Sequence, residues 1–332
     1  MRIAYLGTGA WGYCLASLLA SNGHSVTSWS KNTKLIESLK RGEGHPFLNH
    51  SLPRPNMSFT TDLEKALMGA DLIVESVTSA GFRMVLNQVI AIQELSCPFV
   101  ITSKGIEQNT GEILPEIALK VLGERARAKI GILSGPSFAA EVIRGLPTSV
   151  VASAFDPLEM RFIAEAFTNG TFRVYPNLDM KGVAFGGALK NIIAIACGIA
   201  EGMELGNSVK AAIITRGLHE IKKLFIAYDC KIETLYGLSV LGDLCLTCNS
   251  PLSRNYSFGI LLGKGRGLEE SKDKIRMVVE GAYTCVSALQ LSKKSQIDMP
   301  ITEAVYKIIY EGLKPQEAVI GLMSRTIKEE HL

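Results

Sequence analysis

The sequence predicts an α/β protein whose N-terminal half is built on a mostly parallel sheet and whose C-terminal half is all-helical. Three observations carry this. Short runs rich in β-branched residues alternate with helix-like segments from Met1 to about Asp179. The first of these runs leads directly into a glycine-rich turn and an apolar helix. From Met180 the texture changes to long stretches of helical spacing with few strand signals. The boundary is therefore read at Asp179, giving domains 1–179 and 180–332, as suits a chain of 332 residues.

Taken in order, residues 3–6 form the first strand, 10–22 the helix after it and 25–29 the second strand. Residues 72–77, 99–102, 130–133 and 149–152 are further strand runs, with helical stretches at 82–95 and 112–122 among them. Alternation of this kind means βαβ units, whose parallel strands are buried on both faces. Beyond the boundary, residues 182–203, 210–228, 274–291 and 301–311 carry helical spacing. The sequence contains no internal repeat, and the glycines at 263–267 read as an ordinary connector.

Composition narrows the function classes. The chain is 47% hydrophobic and 20% charged, and its net charge of +3 from 35 basic and 32 acidic residues is too small to imply a nucleic-acid surface. No tract reads as apolar over the roughly 20 residues a bilayer requires, the best being 192–200. Arg2 and the apolar run after it imitate a secretory signal, but Gly7, Gly9 and Gly12 interrupt the run. Seven scattered cysteines, an odd number, do not form a disulfide framework and imply reduced thiols in the cytoplasm. Cys245-x-x-Cys248 has no second Cys/His pair at metal-like spacing, so it reads as two half-buried thiols and no metal is expected.

Gly7-Thr8-Gly9-Ala10-Trp11-Gly12 has the glycine spacing of a dinucleotide site, in the required context between a strand and a helix. Gly7 permits the tight turn, Gly9 lets the backbone approach a pyrophosphate, and Gly12 lets the helix sit close on the strand. The free N–H groups and positive end of the helix then meet the phosphates. This predicts a Rossmann-like domain. At the end of the second strand, an NAD site usually carries an acid for the ribose 2′-hydroxyl. Here Ser30 and Lys31 stand instead, and they could accept a 2′-phosphate. NADP(H) and NAD(H) both remain open, since Lys31 serves equally as a solvated loop lysine.

Four further segments carry chemistry. Lys104 lies just past a strand's carboxyl end, where open α/β sheets bind ligands. Ser134-Gly135-Pro136-Ser137-Phe138-Ala139 is a turn whose N–H groups and Ser137 hydroxyl suit an oxygen-rich ligand. In a helix, Gly186, Gly187, Lys190, Asn191 and Ala194 fall along one face. Two glycines weaken a helix by about 1 kcal/mol each, so something approaches closely on that side, although helix packing also accounts for the glycines. The fourth segment is Gly242-Asp243-Leu244-Cys245-Leu246-Thr247, then Ser253-Arg254-Asn255, whose last three residues offer hydroxyl, guanidinium and amide groups suited to phosphate.

Together these residues resemble the NAD(P)-dependent glycerol-3-phosphate dehydrogenases of the bacterial type, nearly end to end. The resemblance rests on Gly7–Gly12, Lys104-Gly105-Ile106-Glu107, Leu133-Ser134-Gly135-Pro136-Ser137, Gly186-Gly187-Ala188-Leu189-Lys190-Asn191, Val240–Asp243 and Pro251-Leu252-Ser253-Arg254-Asn255. It implies that Lys190 is the catalytic proton donor and acceptor. It also implies that Lys104 and Asp243 bind substrate and shape the environment of that lysine. Gly135, Ser137, Asn191, Ser253, Arg254 and Asn255 match substrate contacts. Trp11, Lys104, Ala139, Arg254, Val278 and Glu280 match cofactor contacts. The family implies a small-molecule phosphate substrate, dimers, and supply of glycerol phosphate for phospholipids. Two departures concern loops: Val77-Thr78-Ser79 stands where Val-Pro-Ser is usual, and Ser239-Val240-Leu241 interrupts a glycine-rich stretch. The alternatives are a related hydroxyacid dehydrogenase with a carboxylate substrate and a non-catalytic dinucleotide sensor.

Overall fold

The computed structural model describes residues 1–275, 278–327, 329 and 330. They divide into two compact units, Met1–Ser103 with Leu114–Val183, and Lys104–Ile113 with Ala184–Leu332. The segment Lys104–Ile113, which precedes residue 179, is thus grouped with the second unit.

The first unit is Rossmann-like. Its sheet has eight strands: β1 (Arg2–Leu6), β2 (Ser25–Trp29), β3 (Met57–Thr60), β4 (Leu72–Glu75), β5 (Phe99–Ile101), β6 (Ile130–Ser134), β7 (Thr148–Ala154) and β8 (Phe172–Pro176). The spatial order is β3-β2-β1-β4-β5-β6-β7-β8. Every pairing is parallel except β6 with β7. Strands β4, β5 and β6 are buried at every residue, which is why they are apolar except at their carboxyl-end residues Glu75 and Ser134. The strand order reverses beside β1, the kind of switch point at whose carboxyl strand ends open α/β sheets bind ligands. The glycine turn follows β1 at that end.

Strands β3 and β8 were not anticipated. Both lie at sheet edges, where one face is wet and the apolar run is diluted. β3 is four residues long with Ser58 exposed between Met57 and Phe59, and β8 ends on Tyr175 and Pro176, both exposed.

The second unit is helical. Its longest helix, Met180–Gly202, has 23 residues, and it corrects the expectation that no tract is long and apolar enough to cross a bilayer. By length and composition it qualifies, but 94% of its most apolar window is buried inside the protein. It packs backbone to backbone on the helix Arg254–Gly263. A Cβ at Gly198 would stand 3.0 Å from the Gly259 Cα, and one at Gly202 would stand 3.1 Å from the Gly263 Cα. Asn207–Ala227, Glu280–Lys294 and Pro300–Tyr310 complete the main helices. The stretch 274–291 does not form one helix. Leu268–Ile275 ends before Glu280–Lys294 begins, and residues 276 and 277 of that expectation lie outside the described residues.

Candidate active site

In the helical unit, Lys190 sits mid-way along Met180–Gly202 and is 6% exposed, so it is not a surface lysine. Its Nζ donates to Asp243 Oδ1 at 2.6 Å and to Thr247 Oγ1 at 2.6 Å. Lys104 Nζ donates to the other oxygen of the same carboxylate, Asp243 Oδ2, at 2.5 Å. The Thr247 hydroxyl donates to the Asp243 carbonyl oxygen at 2.6 Å, which leaves an oxygen lone pair turned to Lys190. One buried carboxylate therefore holds two ammonium groups, and Thr247 also fixes that of Lys190.

Local structure explains how these residues are held. Asp243 opens the helix Asp243–Cys248 directly after the π-helical turn Leu238–Gly242. Such turns are rare and tend to occur where a side chain must be re-aimed. Val240 in that turn meets Gly186, where any Cβ would run into the valine. The close approach inferred for Gly186 is therefore made by the protein's own Val240. Lys104 is carried by Lys104–Ile113, which the Ser287 hydroxyl ties down through the Ile106 carbonyl at 3.1 Å. Gly111 (φ +72°) completes that tie, since a Cβ there would press on Leu291 at 2.8 Å.

The electrostatics follow from burial and charge count. Burial pushes the Lys190 ammonium down to about 8, Lys104 acts in the same direction, and Asp243 opposes both. Burial alone would raise the Asp243 carboxyl, but Lys104 and Lys190 hold it below the usual aspartate value. The result is an amine able to release and regain a proton near neutral pH beside a carboxylate that stays ionised.

A second cluster lies in the same unit. Asn255 Oδ1 accepts the Gly281 N–H at 2.9 Å. A Cβ at Gly281 would stand 2.7 Å from the Asn191 carbonyl oxygen, so only glycine fits between the two asparagines. Ser253 caps the helix Arg254–Gly263 by accepting the Tyr256 N–H at 3.2 Å. Arg254, the first residue of that helix, keeps part of its side chain exposed, but burial of the guanidinium lowers its pKa and the Glu280 carboxylate opposes that shift. Val278 is also exposed.

In the sheet unit, the three glycines of the turn differ. Gly7 has φ +109°, and a Cβ there would lie 2.7 Å from the Ser76 carbonyl oxygen. A Cβ at Gly12 would run into the Gly7 carbonyl. Gly9 is different: nothing lies within 4 Å of its Cβ position. The helix it caps, Ala10–Ser21, has no side-chain cap and no acid in its first turn, so its N–H groups and positive end stay available to an anion. Trp11 is half-buried in that first turn. Ser30 accepts the Asn32 N–H at 3.2 Å. The exposed Lys31 lies 6.0 Å from the Trp29 ring centroid and donates to Met84 Sδ at 3.7 Å. Gly135 (φ +149°) lies where a Cβ would meet the Val150 Cα at 2.8 Å, and Ser137 Oγ donates to the Gly135 carbonyl at 3.2 Å. Ala139 begins the short helix Ala139–Val142, and its carbonyl accepts from Cys14 Sγ at 3.4 Å.

Comparison with known proteins gives the family. Residues 2–159 match the NAD-dependent glycerol-3-phosphate dehydrogenase N-terminus, and residues 179–320 match the C-terminus of the same family. The chain belongs to that family. Full-length relatives include the glycerol-3-phosphate dehydrogenase [NAD(P)+] of Protochlamydia amoebophila, 61% identical over 100% of this chain and 99% of the relative. That of Chlamydia pneumoniae is 56% identical over the same shares. A solved structure of glycerol-3-phosphate dehydrogenase from Coxiella burnetii has a TM-score of 0.93 at 35% identity, covering 98% of this chain and 99% of that one.

As a member of the glycerol-3-phosphate dehydrogenases, the protein is an NAD(P)-dependent oxidoreductase. The sequence singles out the segment that ends on Thr247 but gives that residue no role, although it stands four residues, one helical turn, after Asp243 and so on the same face. The paired cysteines need a correction. Cys245 is exposed, whereas Cys248 is fully buried against Cys197 and near Lys190. They are not two half-buried thiols because the helix Asp243–Cys248 presents one to solvent and the other to the core.

Proposed function

We propose that this dehydrogenase reduces dihydroxyacetone phosphate to sn-glycerol 3-phosphate, reversibly, with Lys190 as the general acid and base. The observation that carries the reading is a buried lysine whose ammonium has been pushed down to about 8 while it shares a carboxylate with Lys104. A general acid works best when its pKa lies near the working pH.

The glycine turn fits a dinucleotide. Gly7 and Gly12 are glycines because the protein backbone leaves no room, whereas Gly9 faces open space. A reduced nicotinamide dinucleotide held there would supply the hydride. Lys190 then donates its proton to the developing alkoxide, and in the reverse direction its neutral amine takes the hydroxyl proton. Lys104 binds substrate, and Asp243 keeps both ammonium groups oriented. Ser253, Arg254 and Asn255 hold the phosphate, with Gly135, Ser137 and Asn191 as further substrate contacts. Binding energy at the phosphate thereby orients a carbonyl remote from it. Trp11, Ser30, Lys31, Ala139, Val278 and Glu280 are the remaining cofactor contacts. We place the enzyme in the cytoplasm, as a homodimer supplying glycerol phosphate for phospholipids.

The test is consumption of NADPH or NADH by the purified protein with dihydroxyacetone phosphate, set against a panel of 2-keto acids. Turnover confined to the keto acids would overturn the substrate assignment. Two variants probe the cofactor residues. Lys31→Glu places a carboxylate against a 2′-phosphate, so the ratio of kcat/KM for NADPH to that for NADH should fall by about tenfold or more, the value of one charge-assisted contact. An unchanged ratio would make Lys31 a solvated loop residue. Gly9→Ala adds a methyl group in open space at φ −64°, a backbone any residue adopts. Its Tm should therefore stay at the wild-type value while cofactor affinity falls about tenfold through lost close approach.

A further inference from the structure

His45 is fully buried, although it belongs to a polar loop between the helix Thr33–Lys40 and β3. Its Nε2 lies 3.1 Å from the Thr8 carbonyl oxygen, inside the glycine turn. Its Nδ1 lies 3.3 Å from the Phe47 backbone nitrogen. A backbone N–H can only donate, so Nδ1 is the unprotonated acceptor and Nε2 carries the hydrogen. The neutral tautomer is thus set by geometry, and burial favours it further by lowering the imidazole pKa. The ring leans on Tyr13 of the helix Ala10–Ser21, with centroids 4.8 Å apart. Tyr13 in turn donates its hydroxyl to the Ser51 carbonyl at 2.8 Å, and the His45 backbone N–H donates to that same carbonyl at 3.0 Å. The loop from His45 to Ser51 is therefore a closed brace built against the first helix.

The consequence lies in the peptide that His45 holds. In a planar trans peptide the carbonyl of one residue and the N–H of the next point in opposite directions. A donor fixed on the Thr8 carbonyl therefore turns the Gly9 N–H away from the imidazole. That N–H donates to no group among the described residues, and the space at the Gly9 Cβ position is open. Glycine is also the residue least able to resist a peptide flip by its own sterics. The sequence thus supplies a loop free to rotate and a buried donor that stops it.

We infer that His45 is a positioning residue for the dinucleotide, locking the Thr8–Gly9 peptide so that the Gly9 N–H is already aimed at the pyrophosphate before it arrives. This rests on the reading of residues 7–12 as the phosphate cradle. Pre-aiming matters because a donor that needs no reorganisation adds its full hydrogen bond to affinity.

The test uses the intact enzyme with three variants. Binding of NADPH is followed by the fluorescence of Trp11 and Trp29, the chain's only tryptophans, alongside steady-state kinetics and Tm. His45→Phe keeps a ring against Tyr13 but cannot donate. It should raise the Kd and KM for NADPH about tenfold, the value of roughly one buried hydrogen bond, with kcat and the KM for dihydroxyacetone phosphate unchanged. His45→Gln, whose amide nitrogen reaches the position of Nε2, should restore most of that affinity. A merely structural role predicts instead a lowered Tm in both variants with no rescue. Gly9→Ala separates the two readings. If it weakens NADPH binding while His45→Phe does not, the cradle stands and the role of His45 is overturned. If neither variant alters NADPH binding, the cradle reading itself fails and the inference with it. Should His45→Phe not fold, His45→Leu takes its place against His45→Gln.

Discussion

Replacing Lys190 by alanine lowers kcat for ketone reduction by about 10²–10⁴-fold, the range that a positioned general acid contributes. The Kd for NADPH stays within a factor of two or so of wild type, because the proposed role of Lys190 is proton transfer to the substrate and not contact with the dinucleotide. The variant should fold, since its removal leaves Asp243 paired with Lys104, one charge against one. The pH profile supplies an independent reading. Reduction needs the ammonium form, so wild-type turnover in that direction falls as pH rises through about 8, and turnover in the oxidative direction rises over the same interval. The alanine variant loses both limbs. Steady-state kinetics from mildly acid to alkaline pH make the comparison, and activity close to wild type would remove Lys190 from the chemistry.

The same shift has a stability counterpart of defined sign. In the folded protein Lys190 releases its proton near 8, whereas an unfolded lysine holds it to about 10.5. Between these values the unfolded chain binds the extra proton, so this group makes stability rise with pH across that window. Its burial is most costly below about 8. Asp243 behaves oppositely. Its folded pKa lies below the usual aspartate value, so the stability it contributes is present above that value and is lost as pH falls through the folded pKa.

Asp243→Asn should be the more damaging change to the fold. It leaves the Lys104 and Lys190 ammonium groups facing each other in a buried site, with only an amide between them. Breaking a buried ion pair by removing one partner typically costs ~3–5 kcal/mol, a large share of the stability of an ordinary domain. Denaturant titration should show a lower midpoint with an unchanged slope. Turnover should also collapse, because the uncompensated pair pushes Lys190 towards its neutral form. Adding Lys104→Met to Asp243→Asn removes one of the two repelling charges and should recover part of the lost stability. Such non-additivity is expected of residues in direct contact. A strictly additive double variant would mean that the two lysines do not act on each other through Asp243.

The chemistry-bearing residues were legible in the sequence to different degrees, for physical reasons. Gly7, Gly9 and Gly12 could be read because a turn between strand and helix is a local event with local requirements. Lys190 could be noticed because helical periodicity places it beside Gly186 on one face. The reason for that glycine could not be read, since Val240 reaches Gly186 from a turn more than fifty residues away. Thr247 takes no role from the sequence because a lone threonine in a helix carries no signal until its neighbour is known to be a buried lysine. His45 escaped notice for the same reason: it sits in a loop of ordinary polarity, and only its contact with Thr8 gives it meaning.

What the sequence determined by itself is therefore most of the local structures and the order of motifs: an N-terminal half of alternating strands and helices, a glycine-rich turn after the first strand, and long helices in the C-terminal half. These follow from periodicity and turn chemistry, which act over a few residues. Only the tertiary structure decided the strand order, the two edge strands, the π-turn before Asp243 and the meeting of Lys104, Lys190 and Asp243 across separations of 139 and 53 residues. Those contacts depend on how buried faces fit together, and burial is a property of the folded core rather than of any short stretch of chain.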